Sequence, residues 1–312
     1  MNRKYFLDLN FTYSTLIMEE SAQILDIESF IPLTLQKNIL NLKRFIMSGD
    51  PNQLPPIVKG NIFRTFSNFD NSLFTRLIKN KVNYIYLDQQ GRGRKEIVDI
   101  YRWKYPLLKD IQLNIKENNF GFLYNIQFIN VNEFEGKGEI LNSDYSYFNL
   151  AEAEYSIAIF MFMCLIGYNP NKISIITSYN GQKNLIKEIY LKKCSWHKIF
   201  SGIKKICTID KYQGQQNDYI ILSLVRNIDI GYLRDIRRLI VSLSRARLGL
   251  YILGKWDLFN NEKDVENCFI QFRNQDKNLK IYFDKNSNNI LTIEDFKHMY
   301  RIVQELLKIK LS

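Results

Sequence analysis

The sequence predicts an α/β fold built on parallel β-sheet covered by helices. Short β-branched and aromatic runs alternate with stretches of helical periodicity, joined by brief connections of the kind strand–helix–strand units require. The strand runs are also near-continuously apolar rather than alternating, which suits strands buried on both faces. In chain order, strands are expected at Thr15 to Met18, Arg44 to Met47, Tyr84 to Leu87, Ile126 to Val131, Ile173 to Thr177, Lys205 to Ile209, Tyr219 to Val225 and Leu250 to Leu253. Helices are expected at Ala22 to Leu35, Asn71 to Asn80, Lys95 to Lys104, Leu150 to Ile166, Gly181 to Leu191 and Asp235 to Arg247. The polar stretch Asp110 to Asn119 and the loop Asn132 to Tyr147 read as insertions, Asn260 to Asn289 is weakly patterned, and Thr292 to Leu311 reads as an amphipathic helix.

Composition narrows the class. A chain of 312 residues with 46% hydrophobic and 14% aromatic content folds with a sizeable core and has length for two average domains. Lys+Arg 43 against Asp+Glu 32 gives 43 − 32 = +11, with pI near 9.3, which favours a polyanionic partner. The four cysteines, Cys164, Cys194, Cys207 and Cys268, form no CxxC pair, and His197 and His298 lie far apart, so a disulfide framework or zinc site is not expected. Reduced thiols and the lack of an apolar leader-like run at the N-terminus fit a cytosolic or nuclear protein. The longest apolar stretch, Tyr155 to Tyr168, is fourteen residues, short for a membrane span.

Four segments carry polar chemistry. The strand Leu16-Ile17-Met18 ends in Glu19 and Glu20. Paired carboxylates at a strand end can hold Mg²⁺, directly or through water, and orient an attacking water. The plain alternative is an acidic first helical turn complementing the helix dipole. The second segment, Gly49-Asp50-Pro51-Asn52-Gln53, follows the next apolar strand and repeats the strand-to-acid pattern about thirty residues on. Here Gly permits close backbone approach, while Asp50 and Gln53 offer a carboxylate and an amide. Taken alone it is also a plain turn.

The third segment, Thr208 to Asp218, packs amides around Gly214 between two apolar strands and offers donors and acceptors suited to sugar and phosphate, although it also reads as a polar surface loop. The fourth, Arg234 to Arg247, sets core residues Leu239, Val241 and Leu243 between two groups of arginines. Arginine makes bidentate phosphate contacts and stabilises charge in phosphoryl transfer; a solvated basic helix face is the bland alternative.

In this order the segments resemble the motifs of superfamily 1 helicases of the Upf-like and Senataxin-like group, and within it an intron-binding spliceosomal branch. The strings MEESAQILDIESFIPLTLQ, SGDPNQLPPIVK, SLFTRL, LDQQGRGR, TSYNGQK, TIDKYQGQQNDYIILSLVR and DIRRLIVSLSRARLGLYI carry the likeness, which spans roughly Phe11 to Leu253. The resemblance implies tandem RecA-like domains that clamp ATP and pass a single strand across their tops. Residues 1–88 would form a partial first domain, 89–256 a complete second one, and 257–312 a C-terminal extension with a terminal helix, otherwise solvated. Glu19 would hold Mg²⁺ and Glu20 would position the hydrolytic water. Most relatives have Asp at the first position; the longer Glu implies slower or conditional hydrolysis.

The resemblance further implies that Asp50 and Gln53 sense the γ-phosphate, that Arg92 points at the phosphates, and that Arg245 is an arginine finger. Gln213 and Gly214 would line the nucleotide side, and Gln216, often Glu in relatives, takes no catalytic role. Thr177, Tyr179, Gln182 and Thr208 would contact backbone phosphates of single-stranded RNA. The implied function is an ATP-dependent, nuclear RNA helicase of pre-mRNA splicing, with ATP and Mg²⁺ as cofactors, the intron and spliceosomal proteins as partners, and no membrane.

One departure stands out. No GxxxxGK[ST] phosphate loop occurs in the 312 residues, and Lys59-Gly60 does not replace it. The sequence therefore reads as a piece of a longer product, as a reduced chain without autonomous ATPase, or as a half that works with the other half on a second polypeptide. The competing expectations are a non-enzymatic RNA-binding or scaffold protein and a DNA helicase of the same superfamily. The incomplete first sheet is expected to expose apolar surface.

Overall fold

The computed structural model describes residues 6, 8–58, 62, 66, 67, 69–111, 117–282 and 289–311. The Lys59-Gly60 pair, residues 112–116 of the polar stretch read as an insertion and residues 283–288 of the weakly patterned segment lie outside the described residues. The chain forms two compact units, Met1–Leu87 and Asp88–Ser312.

In the first unit, β1 (Thr15–Met18) pairs in parallel with β2 (Arg44–Met47), with α1 (Asp26–Leu33) between them and α2 (Leu73–Lys79) after them. The helix expected from Ala22 begins later, at Asp26, preceded by one 3₁₀ turn over Ser21–Gln23. Ser72 caps α2 by accepting from the Thr75 amide at 3.0 Å, and Arg76 and Lys79 close its last turn against the dipole. Ile17 and Ile46, central in the two strands, are 64% and 49% exposed.

The strand expected at Tyr84 to Leu87 does not form: among the described residues no strand pairs with it, and Ile85 is 90% exposed. A strand needs partners for its backbone groups, and apolar composition supplies none.

The second unit opens with β3 (Gln89–Gln90), α3 (Lys95–Asp99) and β4 (Lys109–Asp110), where β3 and β4 pair in parallel. Then come β5 (Ile126–Asn130), a hairpin of β6 (Glu139–Leu141) and β7 (Tyr147–Asn149), α4 (Leu150–Ile166), β8 (Ile173–Thr177), α5 (Asn180–Cys194), β9 (Lys205–Thr208), α6 (Ile209–Tyr212), β10 (Asn217–Ser223), α7 (Ile236–Leu243) and β11 (Ala246–Gly254). Strands β5, β11, β10, β8 and β9 make one parallel sheet in that order. The non-consecutive order is what right-handed strand–helix–strand crossovers produce. Ile175, Ile221, Leu222 and Leu253 are fully buried, as continuous apolar runs require. The α/β class and its parallel sheet are therefore present, and the loop expected over Asn132 to Tyr147 holds the β6–β7 hairpin.

Residues 257–312 are not a solvated extension. Following α8 (Trp256–Asn260), Phe269 and Phe272 pack edgewise on Phe128 of β5, and both are fully buried. The hairpin β12 (Leu279–Tyr282) and β13 (Ile290–Ile293) leads into α9 (Phe296–Leu311), whose Met299, Ile302, Val303 and Leu306 join the core cluster around α4. Tyr300 Oη donates to the Glu154 carboxylate at 2.7 Å, fixing α9 on α4. Ile281 and Ile293 alternate with polar neighbours along the hairpin, a period-2 pattern that the surrounding Asn and Lys residues mask in the sequence. All four cysteines are buried and unbridged. Among the described residues, no helix is long and apolar enough to cross a membrane.

Candidate nucleotide and nucleic-acid site

In the first unit, the exits of β1 and β2 are zipped together. The Ser48 amide donates to Met18 O at 2.9 Å, and the Ser21 amide to Ser48 O at 2.8 Å. Gly49 makes this approach possible, since a Cβ there would lie 2.9 Å from the Ala22 nitrogen. The two loops that carry Glu19, Glu20, Asp50 and Gln53 are thereby brought side by side. Glu20 takes a left-handed backbone with φ 50°, uncommon for a residue with a Cβ, and accepts from Gln23 Nε2 at 2.8 Å. Asp50 closes its own turn: one oxygen accepts from the Asn52 amide at 2.9 Å, the other from Gln53 Nε2 at 2.8 Å.

Among the described residues no three His, Cys, Asp or Glu side chains gather into a metal cage. Glu19 and Glu20 are both exposed, and such a donor set fits Mg²⁺, which keeps its waters and takes one or two carboxylates together with substrate phosphates.

In the second unit, Gln90 shapes the Gln90-Gly91-Arg92-Gly93 turn by accepting from the Arg92 and Gly93 amides at 2.9 and 3.2 Å. Arg92 then donates to Ser244 O at 3.1 Å. Ser244 Oγ accepts from Arg245 Nη2 at 2.8 Å, so one serine ties the two candidate arginines together. Arg245 is 1% exposed, with Nε on Val241 O at 2.8 Å and Nη1 on Gln215 O at 3.4 Å. The expected finger is thus folded inward against carbonyls in this structure. It lies there because α7 ends at Leu243 rather than running on to Arg247, and Ala246 already begins β11. Gln213 and Gly214 form the turn after α6, with Gly214 at φ 73°, and this turn leads to the Gln215 carbonyl that holds Arg245.

The nucleic-acid candidates stand at the carboxyl end of the sheet. Thr177 ends β8 and is wholly buried, and among the described residues neither its hydroxyl nor that of Ser178 has a partner. Tyr179 is half-buried, and its hydroxyl accepts from Arg226 Nη1 and from the Tyr232 amide, both at 3.3 Å. Its own proton therefore remains to donate. Thr208 precedes α6 and is 7% exposed.

Gln182 corrects the expectation of a phosphate contact. It is fully buried, accepts from the Asn149 amide at 2.8 Å, and donates to Asn149 O and Ser223 Oγ at 3.1 and 2.9 Å. Its amide is spent on joining α5 to β7 and β10.

Sequence reasoning missed the residues around it. Glu152, fully buried in the first turn of α4, accepts from Ser223 Oγ at 2.7 Å and from the Val225 amide at 2.8 Å. Burial pushes its carboxyl up to about 8, against the lowering pull of these hydrogen bonds. Glu139 of β6 pairs with Arg226 at 2.9 Å, and the Arg226 guanidinium lies 3.9 Å over the Tyr147 ring. Burial works against the charge of Arg226, and its hydrogen bonds to Glu139 and Tyr179 together with their charges outweigh it, so the net shift is upward. The sequence did carry one signal: Asn149 and Glu152 have the Asn-x-x-Glu spacing of a helix cap, and Asn149 Oδ1 accepts from the Glu152 amide at 3.2 Å. Nothing in that spacing announces burial.

Comparison with known proteins follows the same path along the chain. The AAA domain family matches residues 69–257, and a second AAA domain family matches residues 1–61. RNA helicase aquarius of Mus musculus is 47% identical over 279 residues, 87% of this chain and 19% of that protein. Helicase sen1 of Schizosaccharomyces pombe is 32% identical over 262 residues, 80% of this chain and 15% of that one. Pre-mRNA-splicing factor cwf11 of the same yeast is 29% identical over 277 residues, 82% of this chain and 22% of that one. The chain thus spans less than a quarter of the length of each of these relatives. With its zipped carboxylate loops, its serine-tied arginines and a family match that runs through both units, the chain belongs to the AAA-domain helicases of Upf-like superfamily 1.

Proposed function

We propose that this chain is part of the motor core of an ATP-dependent RNA helicase that acts on single-stranded intron RNA during pre-mRNA splicing in the nucleus, among spliceosomal proteins. Similarity to an RNA helicase and to a pre-mRNA-splicing factor supports the reading. The observation that carries it is Tyr179 at the carboxyl end of β8, half-buried, with a hydroxyl proton that meets no acceptor among the described residues, beside the buried hydroxyls of Thr177 and Ser178. Ligands of open α/β sheets lie at such strand ends, and phosphate oxygens are acceptors. Tyr179 and its neighbours would grip backbone and not bases, which gives affinity without sequence preference.

On the nucleotide side, Mg²⁺-bound ATP would supply the anhydride bond to be broken and the partial neutralisation of its charge. Glu19 would hold the ion, directly or through water. Glu20, kept in place by Gln23, would take the proton side of the attacking water. Asp50 and Gln53 would meet the terminal phosphate, with Gln213 and Gly214 lining the nucleotide side. Arg92 and Arg245 would stabilise the charge that develops on the phosphate.

A second reading, RNA binding without turnover, is favoured by one feature, the Arg245 guanidinium folded onto the Val241 and Gln215 carbonyls. ATP turnover by the purified chain, with and without single-stranded RNA, decides between them when run beside Glu20→Gln and a salt series on RNA binding. RNA-stimulated turnover that Glu20→Gln abolishes supports the first reading and requires a phosphate-binding element other than a GxxxxGK[ST] loop. Salt-sensitive RNA binding without turnover establishes the second reading, and loss of both overturns the proposal.

A further inference from the structure

Segment 225–232, between β10 and α7, folds back onto Tyr179 in a conformation its sequence does not favour. Val225 sits at φ 76°, in the left-handed region where a β-branched residue is strained. Farther along, Gly231 at φ 50° packs so tightly that a Cβ would fall 2.4 Å from Arg226 Nη1 and 3.0 Å from Tyr179 Oη. Something must hold the segment there.

The holders are two buried residues at the start of α4. The Glu152 carboxylate accepts from the Val225 amide at 2.8 Å, and Asn149 Nδ2 donates to the Val225 carbonyl at 3.3 Å, so both sides of the strained residue are pinned from the same helix turn. Asn149 Nδ2 also donates to Asn227 Oδ1 at 2.8 Å. The same two residues reach α5: Glu152 bonds Ser223 Oγ, which accepts from Gln182, and the backbone of Asn149 is bonded by Gln182 at both its amide and its carbonyl. From the other side, Glu139 pairs with Arg226 and accepts from the Asn227 amide.

We infer that Asn149 and Glu152 are positioning residues for the nucleic-acid strand: by clamping Val225 in its left-handed conformation they present Arg226 to Tyr179 and turn the Tyr179 proton outward. Neither needs to touch the strand. The inference rests on the reading of Thr177 to Tyr179 as an RNA-binding row. Glu152 does its work through one acceptor oxygen, Oε2, while buried Oε1 has no partner among the described residues. A glutamine carbonyl can replace that acceptor, whereas alanine cannot.

The test is binding of a labelled single-stranded RNA to the full chain and to Glu152→Gln, Glu152→Ala and Val225→Gly, with hydrogen exchange followed at residues 225–232. Glu152→Gln is expected to keep wild-type affinity within about two-fold. Glu152→Ala is expected to lose about ten-fold or more, the factor that about 1.4 kcal/mol represents, and to speed exchange at 225–232. Val225→Gly leaves the carboxyl in place, relieves the left-handed strain and removes a buried side chain, so Glu152→Gln serves as the folded control beside it; faster exchange and a few-fold weaker binding are expected. If the wild type binds RNA and both Glu152→Ala and Val225→Gly bind it equally well, the inference is wrong while the functional reading stands. If the wild type does not bind RNA, both fall.

Discussion

Two parallel sheets in this chain show the same strand composition with opposite outcomes. In Met1–Leu87 the strands TLIM and RFIM pair in perfect parallel register, yet Ile17 and Ile46 face solvent. In Asp88–Ser312 the strands ISIIT and NDYIILS pair in the same way, and Ile175 and Ile221 are fully buried. The difference is cover. The five-stranded sheet has α4 and the core of α9 on one side and the Phe128, Phe269 and Phe272 cluster on the other, whereas two strands cannot flank themselves. Parallel pairing contributes stability mainly through what it lets helices bury.

The sharpest way to break this comparison is to truncate matched residues. Ile221→Ala is expected to cost about 2–5 kcal/mol, since a fully buried side chain is removed from a packed sheet. Denaturation followed by tryptophan fluorescence measures it, because Trp103, Trp196 and Trp256 all lie in the second unit. Ile17→Ala should change exchange protection of β1 and β2 by no more than about 0.5 kcal/mol. Equal costs would mean that exposure is a poor guide here.

Next in size is the pH dependence that Glu152 gives to the second unit. Its folded value is raised to about 8 from 4.5. Its contribution is therefore fully present below pH 4.5 and is lost as pH rises toward 8, because the folded state holds a proton that the unfolded state has released. Wild type minus Glu152→Gln should shift by on the order of 4 kcal/mol across that window, with the wild type losing ground as pH rises. A flat difference would show that the carboxyl is charged in the folded chain.

Gly49→Ala tests the first unit where it is tight. Its Cβ would meet the Ala22 backbone nitrogen, so the two carboxylate loops must part, at a cost of about 1–3 kcal/mol, read as faster exchange at residues 18–22 and 48–53. The smallest effect belongs to Lys95→Ala, which removes an ion pair to Asp99 from a lysine 73% exposed, worth less than about 0.5 kcal/mol in a urea melt.

Much of the second unit was legible in the sequence. The runs that became β5, β8, β9 and β10 were readable because strands buried on both faces are mostly apolar and β-branched, with few polar positions to break the run. The run Asp235 to Arg247 was ambiguous: Leu239, Val241 and Leu243 mark a helix, while Ala246 opens a strand, and nothing local marks the change. Tyr84 to Leu87 shows the opposite error, a strand composition with no neighbour to pair with. The four polar segments were visible as strand-end chemistry, but three-dimensional bonding turns one of their members, Arg245, inward to Val241, and turns Gln182 of the TSYNGQK string inward to Asn149. Glu152 was hidden because a carboxyl beside an apolar run looks like a cap, and its burial depends on Ser223 and Val225, seventy residues away in the chain.

The seating of α9 on α4 has a consequence for the fate of the polypeptide in a cell. Helix α4 is apolar around its whole circumference, and α9 covers one side of it. A translation product that stopped before α9 would leave that side greasy and open, the kind of surface that chaperones hold and proteases clear. Docking of α9 is thus what closes the second unit to such recognition.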